Sequence, residues 1–282
     1  MELVAAGSAD YEVIDSGREL KLERLGPVVL SRQCAQAFWR PAIDDWGPLV
    51  HAAHYRHDQG PGEWTFRRKV PESWDVRIEE LTFEVRLTQF GHVGFFAEQQ
   101  AQWPWIRETA GDGASVLNLF AYTGGSTLAA LSGGARVTHV DAAPGVVDWA
   151  RRCAEKSGFP KGARWIVDDA VKFVRRELRR GTRYDAVILD PPTFGRGPQG
   201  SVWKIEQDLV PLIDDLDGLL STSPRFVLLS AHTPGVTSSV LRNLLRPLLR
   251  RRGGHIVDGE MVHRQARSED VLAAGVYARW VP

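Results

Sequence analysis

Acidic side chains stand at the ends of three predicted strands, where each could accept hydrogen bonds from a ligand. The first is Asp141, which ends the apolar run Val137–Asp141 and lies 23 positions after Asn118. A carboxylate at the end of a second strand can accept hydrogen bonds from both hydroxyls of a ribose. It can also cap the helix that Pro144 begins, because Asp is a common N-cap. We favour the ribose interpretation.

The second acidic site is the pair Asp168-Asp169, which follows the predicted strand Arg164–Val167 and precedes Ala170. One carboxylate could accept a hydrogen bond from an adenine amino group, while the other caps the helix that starts at Ala170. The spacing does not decide which of the two aspartates has which role.

The third site is Asp190-Pro-Pro-Thr-Phe194 at the end of another apolar run. Two successive prolines lack amide hydrogens and fix their φ angles, so the chain must leave the sheet in one defined direction. We predict that Asp190, Pro191 and Phe194 form a rigid wall of a ligand cleft. Asp190 would accept from a substrate amine and Phe194 would stack on a base. A purely structural turn is the alternative.

A turn of small residues follows an earlier predicted strand, Val116–Phe120, in the stretch Val116–Ser126. Gly124 and Gly125 let backbone amides approach a ligand at the carboxyl end of the strand, where open α/β sheets bind their ligands. The turn lacks the GxGxxG pattern that cradles a pyrophosphate. It therefore suits an amino-acid-bearing nucleoside without phosphates better than a dinucleotide, unless it is only a tight structural turn.

The elements that carry these residues alternate between strands and helices from about residue 114, which is typical of βα units around a parallel sheet. Predicted strands are Val116–Phe120, Val137–Asp141, Arg164–Val167, Ala186–Asp190 and Phe226–Ser230. Predicted helices are Gly125–Leu131, Pro144–Ser157, Ala170–Arg180, Ile205–Leu220 and Ser238–Arg252. His255–Glu260 and Leu272–Trp280 predict a final hairpin at the sheet edge.

The first 110 residues have a different pattern, with alternating segments such as Glu79–Thr88 and several Gly and Pro turns. We therefore divide the chain into a mostly β region, 1–110, which is a possible substrate-recognition domain, and an α/β domain, 111–282. Six tryptophans lie in the first region. We favour packing in its core over a platform for stacked bases.

Composition excludes several classes of protein. Hydrophobic residues make up 43% and charged residues 25%, as in ordinary globular proteins. No apolar run is long enough to span a bilayer and no leader peptide is evident, which predicts a cytoplasmic protein. Two cysteines are too few for a zinc site or a disulfide framework, so we expect no metal.

The charge balance also limits how the protein could hold nucleic acid. With 35 basic and 35 acidic residues there is no global field, so RNA contact must come from a local patch. Arg175–Arg180 and Arg250–Arg252 are basic runs that could meet phosphates, although a solvated helix face explains them equally well.

Taken together, the motifs resemble those of the class I methyltransferases that modify large-subunit ribosomal RNA, a group with cytosine-5 and guanine-N7 enzymes. The resemblance runs from about Phe90 to the C-terminus. It rests on the acidic strand end at Asp141 and on four segments, which are Gly94-Phe-Phe-Ala-Glu-Gln99, Asn118-Leu-Phe-Ala-Tyr-Thr-Gly-Gly125, Asp169-Ala-Val-Lys-Phe173 and Asp190-Pro-Pro-Thr-Phe194.

The resemblance implies a Rossmann-like sheet of seven strands in the order 3-2-1-4-5-7-6, the last strand antiparallel. It also implies S-adenosylmethionine as cofactor. The implied cofactor contacts are Gln99, Phe120, Ala121, Tyr122, Gly124, Asp141, Asp169, Ala170, Asp190 and Pro191.

Two departures from this family bear on the substrate. No RNA-binding module of the pseudouridine-synthase-associated type is recognisable at the N-terminus. The cytosine-5 enzymes have a cysteine after the fifth strand, where this chain has Ser230-Ala-His-Thr-Pro-Gly235.

A cytosine C5 needs a thiolate adduct, whereas a nitrogen already has a lone pair. We therefore predict a methyltransferase of ribosomal RNA that methylates a nitrogen without a covalent cysteine intermediate, with Asp190 and Phe194 as catalytic residues. Three alternatives stay open, which are a small-molecule substrate, a nicotinamide oxidoreductase and a catalytically silent nucleotide-binding module. The sequence leaves the oligomeric state open.

Overall fold

A computed structural model describes residues 1–56, 62–197 and 200–282. The chain forms two compact units. The larger unit contains Met1–Leu3, Ala101–Met261 and Gly275–Pro282, and the smaller unit contains Val4–Gln100 and Val262–Ala274. This division differs from the predicted boundary at residue 110, because a segment near the C-terminus belongs with the N-terminal residues.

A sheet of eight strands organises the larger unit. Its strands are β1 (Glu2–Ala5), β9 (Ser115–Leu119), β10 (Arg136–Asp141), β11 (Ala163–Val167), β12 (Ala186–Leu189), β15 (Phe226–Ala231), β16 (His255–Arg264) and β17 (Val271–Val281). The order is β11-β10-β9-β12-β15-β17-β16-β1. The first five strands of this order are parallel and β17 is antiparallel to β15.

The seven predicted strands have the predicted order, but the predicted strand count is wrong. The eighth strand, β1, was missed because most of its four residues are not buried, so no apolar alternation marks it.

Within the described residues, six α-helices accompany the sheet. They are α1 (Trp103–Ala110), α2 (Gly125–Ser132), α3 (Pro144–Lys156), α4 (Ala170–Arg180), α5 (Ile205–Asp217) and α6 (Ser238–Arg252), and a 3-10 helix covers Ala97–Gln102. Local chemistry sets their ends. Asp169 caps α4 by accepting from the Lys172 amide, and Gly181 ends that helix with a φ of 69°. Apolar residues of α4, α5 and α6 pack with the parallel strands in one buried cluster.

The smaller unit is mostly β, as predicted. Five strands, β2 (Tyr11–Gly17), β3 (Leu20–Leu25), β4 (Val28–Gln33), β5 (Ala52–Tyr55) and β6 (Glu63–Phe66), form a sheet in chain order. A separate hairpin consists of β7 (Trp74–Ile78) and β8 (Leu81–Val85). Three indole N–H groups, those of Trp46, Trp64 and Trp74, donate to acceptors within this unit, which favours a structural role for these rings.

Residues 262–274 complete the smaller unit from far along the chain. Gln265 forms a parallel bridge with Val13, and the Ala266 amide donates to the Val13 carbonyl at 2.9 Å. The buried Ser16 hydroxyl donates to Gln265 Oε1 at 2.8 Å. The N-terminal β unit is therefore discontinuous in sequence. Over the described ranges, none of the helices combines the length and apolar character needed to cross a bilayer.

This arrangement predicts that Gln265→Ala destabilises the smaller unit. The variant leaves the buried Ser16 hydroxyl without its acceptor, which should cost roughly 1 to 3 kcal/mol in the free energy of unfolding. Urea denaturation measures the loss, and hydrogen exchange should become faster in β2. The control is Arg264→Ala, an exposed neighbour that should change stability by less than about 0.5 kcal/mol. Equal losses in both variants would contradict the structural role of residues 262–274.

Candidate functional site

The loop between β9 and α2 has an unusual backbone. Phe120 and Tyr122 adopt positive φ angles of 54° and 48°, and Gly124 has a φ of 91°. Positive φ is uncommon outside glycine and occurs often at functional sites. The Ala121 amide donates to the carbonyl of Val140 at 3.1 Å, which joins this loop to β10. The loop is thus held open at the carboxyl end of the sheet.

The carboxylate of Asp141 links this loop to the next one. Its Oδ2 accepts from the Tyr122 amide at 2.9 Å, and its Oδ1 accepts from the Ala143 amide at 3.0 Å. Burial raises the pKa of Asp141, while the amides of Ala143, Tyr122 and Ala142 act in the opposite direction. A carboxylate can accept about four hydrogen bonds, so the bonds from these amides leave capacity for a further donor such as a hydroxyl.

A buried polar relay lies under the same loop. Asn118 Nδ2 donates to Thr127 Oγ1 at 2.9 Å, and Thr127 Oγ1 lies 3.0 Å from His139 Nδ1. Burial lowers the pKa of His139 to about 3, so the ring is neutral at pH 7. In the unfolded chain the His139 imidazole takes up a proton near pH 6.5, whereas in the folded state it does so only near pH 3. The folded state therefore loses stability as the pH falls from 6.5 toward 3.

The two aspartates after β11 have different partners. Asp168 Oδ2 pairs with Arg176 at 2.5 Å, and its Oδ1 accepts from the Asp169 amide. Asp169 Oδ1 caps α4, while its Oδ2 accepts from the Ser201 hydroxyl at 2.9 Å. The ion pair makes Asp168 the less available acceptor. The predicted adenine contact of Asp169 and Ala170 stays a prediction.

Asp190 follows β12 and is oriented by residues that end β15. Its Oδ1 accepts from the Ser230 hydroxyl at 2.9 Å and lies 3.3 Å from His232 Nδ1. The Asp190 side chain is 23% exposed, so the carboxylate is both held and accessible. The sequence predicts Asp190 as a site residue, but it does not predict that the Ser230 hydroxyl orients the carboxylate.

Phe194 begins a short hairpin beyond the two prolines, with strands β13 (Phe194–Arg196) and β14 (Val202–Lys204). The ring of Phe194 is 51% exposed and therefore does not belong to the core. Trp203 fixes the hairpin, because its Nε1 donates to the Pro192 carbonyl at 2.7 Å and its ring lies 4.7 Å from that of Phe120.

These contacts connect most of the predicted site residues. Asp141 bonds to the loop that contains Phe120, Ala121, Tyr122 and Gly124, and Ser201 joins the hairpin to Asp169. Pro191 is buried beside Asp190 in sequence. Gln99 lies in the smaller unit, and its cofactor contact stays a prediction.

The sequence patterns did not predict the site contacts of five residues, which are Thr127, His139, Ser201, Ser230 and Trp203. A usable signal existed for Ser230, because it is an isolated polar residue inside the otherwise apolar strand β15.

The two arginine-rich runs are partly engaged within the protein. Arg252 pairs with Asp217 at 2.5 Å and also donates to the Ser221 carbonyl. In the other run, Arg176 pairs with Asp168 and Arg180 pairs with Glu177 at 3.0 Å. These guanidinium groups stabilise helix positions, which weakens the interpretation of the runs as phosphate-binding patches.

The hydrogen-bond acceptors of the site fit a cationic nucleoside. Asp141, Asp169 and Asp190 bring three carboxylates to the carboxyl ends of neighbouring strands, and residues 120–124 contain no lysine or arginine. Carboxylates attract an ammonium or sulfonium and accept from ribose hydroxyls, whereas they repel a pyrophosphate. Residues of this kind fit S-adenosylmethionine and not a dinucleotide. Across the described ranges there is no cluster of His, Cys, Asp and Glu that could hold a metal ion.

Comparison with known proteins agrees with this chemistry. A family model described as S-adenosylmethionine-dependent methyltransferase matches residues 28–244. A solved structure, the SAM dependent methyltransferase from Agrobacterium tumefaciens, has a TM-score of 0.94 and 37% identity, and covers 100% of this chain and 93% of its own. A protein called SMU.776, solved in complex with SAH, shares the fold with a TM-score of 0.72 at 19% identity.

Curated relatives are similar over a shorter region. Ribosomal RNA large subunit methyltransferase K/L of Pseudomonas paraeruginosa is 30% identical over 163 residues, which are 56% of this chain and 22% of that protein. Ribosomal RNA large subunit methyltransferase K of Neisseria meningitidis is 33% identical over 157 residues, 55% of this chain and 44% of that protein. The matches therefore span less than half the length of these relatives.

The geometry at Asp141 predicts that Asp141→Ala weakens binding of S-adenosylhomocysteine more than tenfold. The variant loses charge-assisted bonds to the ribose, each worth roughly 1.5 to 3 kcal/mol, and a tenfold change is about 1.4 kcal/mol. Isothermal titration calorimetry measures the affinity. The control is Asp148→Ala, which removes an exposed carboxylate of α3 and should leave the affinity unchanged. Equal affinities for Asp141→Ala and the unmodified protein would rule out the ribose contact.

Proposed function

The chain belongs to the family of S-adenosylmethionine-dependent methyltransferases, and we propose that its methyl acceptor is a nitrogen atom of RNA. The bound cofactor supplies an electrophilic methyl group on a sulfonium. Transfer to a lone pair is an in-line displacement, so the protein chiefly provides proximity and orientation, which can contribute up to roughly 7 to 11 kcal/mol. The residues that position the methyl acceptor therefore determine which atom is methylated.

In this proposal the cofactor lies along the carboxyl ends of β9, β10, β11 and β12. Asp141 accepts from the ribose hydroxyls, and Asp169 with the Ala170 amide contacts the adenine. The loop residues Phe120, Ala121, Tyr122 and Gly124 hold the amino-acid part. Gln99, Asp190 and Pro191 complete the proposed contacts.

The observation that carries the proposal is the pairing of a held carboxylate with an exposed aromatic ring on one rigid turn. Ser230 fixes Asp190, whose carboxylate can accept from an N–H of the acceptor nucleotide. Four residues later, the half-exposed ring of Phe194 offers a planar face on which a base can stack. Asp190 and Phe194 are thus the proposed catalytic residues.

The cysteines support nitrogen as the target atom. Attack on cytosine C5 needs a thiolate, and Ser230, Ala231 and His232 occupy the positions where the cytosine-5 enzymes have one. Cys153 is fully buried in α3. Burial raises the pKa of the Cys34 thiol, which makes it a poorer nucleophile at neutral pH.

The names of the curated relatives favour ribosomal RNA over a small molecule as the substrate. A role in rRNA processing in the cytoplasm follows from this choice and is part of the proposal. A small-molecule acceptor is the second candidate, because a carboxylate and an aromatic ring would also hold a planar metabolite with an amine. Family membership argues against the nicotinamide oxidoreductase.

The proposal predicts that the protein transfers tritium from methyl-labelled S-adenosylmethionine to ribosomal RNA from a strain that lacks the gene. Nuclease digestion and mass spectrometry of the nucleosides should place the methyl group on a nitrogen. RNA from the parent strain is the control and should accept little label, since its site is already methylated. Label that enters only small molecules of a cell extract would support the second candidate instead.

A double variant, Cys34→Ala with Cys153→Ala, checks the chemistry of the same reaction. It should keep most of its turnover. A covalent complex with 5-fluorocytosine RNA that either single variant abolishes would contradict the nitrogen target.

The exposure of Phe194 predicts that Phe194→Ala impairs the use of RNA without destabilising the fold. Losing a stacked base should cost roughly 1 to 3 kcal/mol in RNA or transition-state binding. The affinity for S-adenosylhomocysteine and the melting temperature should barely change. The control, Val202→Ala, truncates a similarly exposed side chain on β14 and should have no effect. A melting temperature several degrees lower, with an unchanged rate per folded molecule, would show that the ring is structural.

A further inference from the structure

A cavity of about 300 Å³ lies in the smaller unit, on one face of its five-stranded sheet. Leu20, Ser31 and Ala53 form part of its floor. The strand registers place these side chains together, because Ser31 pairs with both Leu22 of β3 and Ala53 of β5. Side chains two positions apart share a face. Most residues of the segment 41–47 also line the cavity.

A buried carboxylate of β2 fixes the position of residues in the segment 41–47. Asp15 is 1% exposed and accepts from four donors. They are the Ser16 and Ala42 amides on Oδ1, and the Ile43 amide and Trp46 Nε1 on Oδ2, at 2.8 to 3.1 Å. Collapse of the segment into the cavity would break bonds to a buried charge, which is costly. The cavity is therefore preformed.

Two guanidinium groups line the cavity. Arg67 is exposed, and a Cβ on Gly47 would lie 2.7 Å from its Nη1, so the glycine leaves room for it. Within the described residues, the Arg67 side chain has neither a hydrogen bond nor an ion pair. Arg18 donates one N–H to the Asp44 carbonyl at 3.3 Å and keeps other donors. Guanidinium forks are suited to phosphate.

The remaining lining suits a base more than a purely anionic ligand. Ile43, Val50 and Trp46 supply apolar surface, and the carboxylates of Asp44 and Asp45 can accept from an exocyclic amine. Asp45 already accepts from the Gly47 amide through Oδ1. A volume of about 300 Å³ is at the lower end of small-ligand pockets, large enough for one base.

We propose that this cavity binds one unstacked nucleotide of the RNA substrate, with the base inside and its flanking phosphates on Arg18 and Arg67. The inference rests on the proposed RNA substrate and adds a second point of recognition. Bases splayed out of single-stranded RNA are commonly read in this way.

Fluorescence anisotropy with a labelled ten-nucleotide single-stranded RNA tests the proposal. Arg67→Ala should weaken binding about tenfold, through the loss of a charge-assisted phosphate contact. Ala53→Leu should weaken it by a similar factor by filling the cavity. The matched control is Arg68→Ala, the next residue, whose guanidinium bonds to the Pro48 carbonyl and does not line the cavity. It should bind within twofold of the unmodified protein.

Several outcomes would overturn the proposal. If Arg68→Ala weakens binding as much as Arg67→Ala, the attraction is a diffuse electrostatic one. If Ala53→Leu keeps its melting temperature and binds normally, the base does not enter the cavity. Adenosine monophosphate that competes as well as the RNA would indicate a site for a free nucleotide. Tritium transfer to RNA by the unmodified protein tests the proposed function separately from the cavity. If the unmodified protein methylates RNA but the cavity variants bind RNA normally, only the cavity proposal fails.

Discussion

One carboxylate, that of Asp141, holds the two loops on which the proposed cofactor site depends. It accepts from the Tyr122 amide in the first loop and from the Ala143 amide in the second. The positive φ angles of Phe120 and Tyr122 are costly, so they persist only because contacts of this kind compensate. The helix-cap interpretation of Asp141 is wrong, because Ala143 is the N-cap residue of α3 and no side chain caps that helix. The ribose interpretation stays a prediction, since the carboxylate keeps capacity for a further donor beside the backbone amides.

The buried relay of Asn118, Thr127 and His139 likewise connects separate elements of the larger unit. Asn118 and His139 pair on adjacent strands, and Thr127 Oγ1 bonds to the side chains of both. Thr127 lies in the first turns of α2, so the relay also fixes that helix against the sheet. A buried polar group without a partner costs free energy, so all three residues must be correct together. Coupling of this kind makes the position of the loop precise.

Sequence patterns predicted the elements of the larger unit well because buried parallel strands are short apolar runs between helices of regular period. The Asp190-Pro-Pro turn was also predictable, since proline restricts its own backbone locally. Partners distant in sequence could not be predicted. Nothing near Ser201 indicates that its hydroxyl meets Asp169, and nothing near Gln265 indicates that it bonds to Ser16. Both depend on tertiary packing, and the second explains the misplaced boundary between the units.

Charge is subject to the same limit, because a sequence does not show which arginines form ion pairs within the protein. In the larger unit, Arg176 and Arg252 look available in their basic runs but are paired with Asp168 and Asp217. A phosphate that recruited either of them would have to replace a partly buried ion pair and would gain little. Arg67 belongs to the short basic run Arg67-Arg68-Lys69 of the smaller unit, and its guanidinium has no ion-pair partner among the described residues. For a chain with no net charge, the proposed binding of RNA therefore depends on unpaired guanidinium groups and not on the density of arginine.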